Sequence, residues 1–160
     1  MTKREDRAEL IKEFQEKFKE AKKQFDLKSD FEEIDECFFI TDYILSKGFV
    51  SQDILMQMCG VIVDTFYSWN NHMHNLVIPN PQNMMQMSET KMFNEVQKKE
   101  ILGIIKSSMA LVRTYTLLVL NRNKKAEARF IDDSVKLWKK NYAPKILPIM
   151  KKIVDEWNKK

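Results

Sequence analysis

Glycine and proline are scarce in this chain, with three and four among 160 residues. So few turn formers leave few and long elements, which argues against a many-stranded sheet and for helices. Histidine is rarer still. His72 and His74 lie two positions apart, so on a helix they point in different directions. Neither has a glutamate three residues before it, which excludes the paired Glu-x-x-His pattern of carboxylate di-iron bundles. No Gly-x-Ser-x-Gly elbow and no glycine-rich phosphate loop occurs. No arginine precedes a histidine by four to six residues, the spacing of a common helical ribonuclease family. The only cysteines, Cys37 and Cys59, sit in apolar helical runs, as reduced core thiols of a cytoplasmic protein do. The first residues, MTKREDRAELIKEF, are charged where a secretory signal would be apolar.

What the chain does have is one long apolar stretch, EVQKKEILGIIKSSMALVRTYTLLVL at 95–120. Its apolar residues recur every three or four positions, a helical period. Lys99, Lys106 and Arg113 are spaced by seven, two turns apart, and fall on one line with Gly103 and Ala110 close by. The pattern predicts a helix that is apolar nearly all round, buried in a bundle or a membrane. A membrane span is disfavoured, because Lys106 and Arg113 would sit deep in hydrocarbon at about 2.5–3.5 kcal/mol each.

The remaining segments repeat the helical theme. At 3–25, Leu10, Phe14, Phe18, Ala21 and Phe25 form a narrow stripe among charged residues. Ser29 and Glu32 have the spacing of a capping box, opening a helix expected to run to 46 and to end at Gly48. Ser51 and Asp53 suit the start of a helix over 52–76, in which only Asp53 and Asp64 are charged. Residues 79–87 read as an uncharged, methionine-rich loop, followed by a cap at Ser88 and Glu89 and the central helix to 120. Another helix is expected from 126 to 142, interrupted by Pro144 and Pro148. A last one runs to the terminus. The predicted fold is all-α: a single-domain bundle of five or six mostly antiparallel helices, with 52–76 and 90–120 as the apolar inner pair.

Function is written faintly. Residues 26–78 carry nine acidic and two basic groups, a net −7, whereas 79–160 carry 17 basic and eight acidic, a net +9. A non-catalytic interaction module is the reading that best fits, an adaptor or a self-associating protein whose partner is another protein or a second copy. The alternative is a basic protein that grips DNA or RNA backbone through its C-terminal third, with Arg122, Lys124, Lys125, Arg129, Lys136 and Lys140 as phosphate contacts. Partner-docking candidates are Phe14, Phe18 and Phe25 on a peripheral first helix, and Met84, Met85 and Met87 in the loop. His72 and His74 with those methionines offer imidazole and thioether donors for a soft metal. Methionine more commonly fills gaps over a core, so no metal and no cofactor is expected.

Overall fold

The computed structural model describes residues 3–159. Among them there is no strand. In chain order they form α1 (Lys3–Phe25), α2 (Phe31–Phe38), α3 (Ile40–Lys47), α4 (Ile54–Val77), α5 (Met84–Thr90), α6 (Glu95–Leu120), α7 (Lys124–Leu137), a π-helical segment (Trp138–Tyr142) and α8 (Ala143–Asn158). The all-α expectation holds. The number of helices exceeds the five or six expected, even when α7, the π segment and α8 count as one continuous helix.

α4 is the inner helix. Its near absence of charge lets it bury residues on most of its circumference, from Ile54, Leu55 and Met58 through Val63 and Phe66 to Met73 and Leu76. Asp53 caps it, accepting from the Met56 N–H at 3.3 Å, so the start expected at 52 falls two residues later. α6 packs along α4 more extensively than any other pair of helices does. Yet α6 is not enclosed. Only Ile101, Ile104, Ser108, Val112 and Leu118 are buried. Hydrophobicity all round a helix predicts burial all round only if enough neighbours exist, and here they cover a single face.

Three junctions depart from the sequence reading. The helix expected over 29–46 breaks at Phe39, whose backbone adopts φ +54°. A left-handed conformation is unusual for a bulky residue. Asp35 holds it: its carboxylate accepts from the Thr41 N–H at 2.7 Å and from the Thr41 hydroxyl at 2.9 Å, capping α3. The capping box at Ser29 does not form. Instead Ser29 donates through its N–H (2.8 Å) and hydroxyl (2.7 Å) to Asp132 of α7, tying the start of α2 to that helix. The methionine loop folds further than expected. Asn83 accepts from the Gln86 N–H at 3.1 Å and starts α5, while a reciprocal capping box between Asn94 and Gln97 starts α6 at Glu95.

The prolines do not end the C-terminal helix. Pro144 would place its ring against the carbonyl four residues back. The chain meets this by widening one turn: the Ala143 N–H reaches the Trp138 carbonyl, five residues back, and Pro144 then occupies the first turn of α8, where no N–H is needed. The widened turn brings Tyr142 into the core. Its hydroxyl donates to Asn70 Oδ1 at 2.6 Å, and Asn70 Nδ2 donates to Ser108 Oγ at 2.8 Å. α4, α6 and the π segment thus share one buried polar network.

Phe39 supplies a direct check on this junction. Its ring is 64% exposed, so little packing is lost on truncation, whereas glycine removes left-handed strain of about 1 kcal/mol. Phe39→Gly is therefore expected to raise stability by up to about 1 kcal/mol in urea unfolding. A clear loss would show that the ring packs more firmly than its exposure implies.

Candidate functional site

The basic C-terminal stripe is not one surface. Arg122 and Lys124 turn toward the body of the protein and pair with Asp53 at the start of α4. Both also reach Glu127, Arg122 Nε at 2.9 Å and Lys124 Nζ at 3.4 Å. The Glu127 side chain is 0% exposed, so this quartet is a structural lock joining the α6–α7 turn to α4. Burial pushes the Asp53 carboxyl up, but the hydrogen bonds from Lys124, Arg122 and the Met56 N–H outweigh it and leave the group below its ordinary value. Hydrogen bonds to Glu127 and Asp53 raise Arg122 further. Lys125, Arg129, Lys136 and Lys140 are exposed. Beside the last two, Lys139 pairs with Glu33 at 2.8 Å, and Asp132 faces the same depression. Of the six proposed phosphate contacts, Arg122 and Lys124 are drawn into ion pairs, and acids are set among the other four.

The docking candidates divide as well. Phe14 and Phe18 are buried and pack on Phe31 with ring centroids 5.4 and 5.6 Å away. Phe25 is half-buried against the same core. Phe14 and Phe18 hold α1 to the bundle, and Phe25 keeps part of its surface open. Met84 and Met85 are exposed on α5, Met87 is half-buried, and Met84 and Met85 border a shallow depression shared with Ser88, Glu89 and Trp157. The Trp157 N–H donates to Glu89 at 3.1 Å, drawing the end of α8 to α5.

His72 and His74 are exposed while Met73, between them, is buried. Among the described residues no group of three or more His, Cys, Asp or Glu side chains is placed to hold a metal ion. The two thiols are buried and unpaired with each other. Burial raises both, Cys59 strongly, and this opposes thiolate formation.

Two concave surfaces stand out that sequence reasoning did not locate. The larger lies between the N-terminal half of α6 and α8, a groove of about 620 Å³ floored by Phe93, Ile101, Ile104 and Ile149 and edged by Pro144 and Pro148. Lys152 closes one end, donating to Gln97 at 2.9 Å and lying 5.0 Å over the Phe93 ring. α8 buries only Ile146 and Ile153, leaving Leu147 and Val154 exposed. The second groove, of about 560 Å³, runs between α3 and α4. Both depend on contacts between residues far apart in sequence. The one local signal was an apolar stripe on 146–157 broader than a single packed face needs.

No protein-family model, curated protein or solved structure matches this chain. The surfaces themselves are what bears on function. α6 is the one helix among the described residues long and apolar enough to cross a membrane, by length and composition. Only 28% of its most apolar stretch is buried, so its outer face needs an account of what covers it.

Proposed function

We propose that the protein is a non-catalytic helical interaction module that seats an amphipathic helix of a protein partner in the groove between α6 and α8. The observation that carries this reading is the groove itself. Its floor is apolar, and its polar groups (Gln97, Glu100, Lys145 and Lys152) stand at the rim. Contiguous apolar surface with a polar rim is characteristic of protein-binding sites, and two diverging helices present the kind of trough that accepts a third. The reading takes α6 as a helix of a water-exposed bundle, since Lys99, Lys106 and Arg113 line its outer face.

Site-specific photo-cross-linking tests it. A benzophenone amino acid at Lys145, which lines the groove, in cells that express the protein natively, is expected to give a discrete adduct. Ile149→Glu on the groove floor should abolish that adduct while leaving the circular-dichroism spectrum unchanged. No adduct, or an adduct indifferent to Ile149→Glu, would overturn the reading.

A further inference from the structure

We propose that the groove between α3 and α4 receives the outer face of α6 from a second copy of this chain. The inference rests on the reading of the protein as an interaction module. Its surfaces meet the α6–α8 groove only at Gly103, and the charge reversals and Ile149→Glu test the two separately, so each can fail alone.

The groove is aromatic and acidic. Phe39, Tyr43, Val61 and Trp69 form its walls, with Asp42 and Asp64 on opposite helices. Both carboxylates are exposed, and neither forms an ion pair among the described residues. Lys47 lies 5.6 Å over the Tyr43 ring. Ring faces beside carboxylates attract ammonium and guanidinium groups that carry apolar stems. The Phe39 N–H donates to the Asp35 carbonyl at 2.8 Å, which holds the ring at the rim.

The outer face of α6 has the complementary character. Lys99, Lys106 and Arg113 rise along it at intervals of about 10.5 Å, all exposed and without an ion pair among the described residues. Gly103 and Ala110 lie between them and leave the face low. Leu102, Leu117 and Leu120 flank it, Leu117 being 66% exposed. This face cannot reach the groove of its own molecule, because α6 is held to the bundle by the opposite side, through Ile101, Ile104, Ser108 and Val112. Apolar surface on both sides favours burial, and opposite charge sets the register and suppresses wrong pairings. Copies so joined make a contact between unlike surfaces, which closes as a ring or a reciprocal pair, or propagates.

The test uses the full chain in sedimentation velocity. Wild type is expected to self-associate, and the association should weaken at least about tenfold between about 0.05 and 0.5 M salt. Asp42→Lys with Asp64→Lys, and separately Lys106→Glu with Arg113→Glu, should each leave a folded monomer. An equimolar mixture of the two double variants should associate again, because each supplies the charge the other has reversed. A wild type that stays monomeric at every concentration overturns the inference, as does association unaffected by both reversals or a mixture that stays monomeric. Association lost with Ile149→Glu but not with the reversals places the contact in the α6–α8 groove, overturning this inference and leaving the module reading intact. Binding of wild type to phosphatidylserine vesicles that fails only with Lys106→Glu and Arg113→Glu, without self-association, assigns the outer face to lipid and also overturns it.

Discussion

Replacing Arg122 and Lys124 together by alanine is expected to lower stability by about 3 kcal/mol, or about 6–12 °C in melting temperature for a chain of this size. The effect comes from what is left behind. Glu127 has no exposure of its own, and its ion-pair partners are these two side chains. Removing both leaves a carboxylate in the interior without a countercharge. The cations themselves are partly solvated, 46% and 38% exposed, so their attraction is screened. For this reason the estimate sits at the low end for breaking a buried pair. Either alanine alone should cost about 1 kcal/mol, since the other cation remains. The cycle is thus strongly non-additive, and additivity would show that Glu127 finds water.

Acid titration reads the contribution of Asp53 in the same variants. Asp53 is held below its ordinary value of 3.8, so its contribution is complete above that value and is lost as pH falls through the lower, folded one. Wild type should therefore shed part of its stability only below about pH 4. The double variant, with the two cationic donors to Asp53 gone, should show less of that acid-side loss. Urea unfolding at a series of pH values reads both quantities.

The second large effect is expected at Phe66. Its side chain is 0% exposed, and its ring lies 5.0 Å from Tyr142, 5.7 Å from Trp138 and 5.9 Å from Phe38, centroid to centroid. The four rings join α2, α4 and the π segment. Phe66→Ala should cost about 4 kcal/mol, the lost transfer energy plus a cavity that the three surrounding helical segments cannot collapse to fill. Phe66→Leu, closer in volume, should cost about 1.5 kcal/mol. Thermal unfolding with matched urea midpoints checks both. A loss below about 1.5 kcal/mol for alanine would mean that the neighbouring rings move in to close the gap.

Much of the architecture was legible because it depends on local pattern. The stripe of Phe14, Phe18 and Ala21 marked the buried edge of α1. Asp53 and an almost uncharged run placed α4 to within two residues at either end. Gly48 ended α3 with φ +75°, as a glycine after a helix does. The misses share another cause. Nothing local in Phe39 announces a helix break, because the backbone there is held by Asp35 and not by a permissive residue. Arg122 and Lys124 looked like phosphate ligands because their partner, Asp53, lies about seventy positions earlier. Composition described the circumference of α6 correctly but carried no information on how many neighbours would cover it. Both grooves follow from that shortage of neighbours, and neither has a motif.

The widened turn at Trp138–Tyr142 has a consequence for how this chain tolerates changes in length. An α-helix advances about 100° per residue. The π segment takes up one residue more than an unbroken α-helix would along the same path. Deleting a single residue there, Lys140 for instance, would leave an ordinary α-helix along that path, so α8 would keep its orientation with Ile146 and Ile153 toward the core, while Pro144 would meet the carbonyl four residues back. One further residue has no such outlet and would rotate the whole of α8 by about 100°, turning away the wall that α8 gives the groove. The orientation of those 16 residues is therefore set by a count of residues upstream as much as by their own side chains. Deletion at this turn is expected to act as strain at Pro144, and insertion as a rotation of the terminal helix.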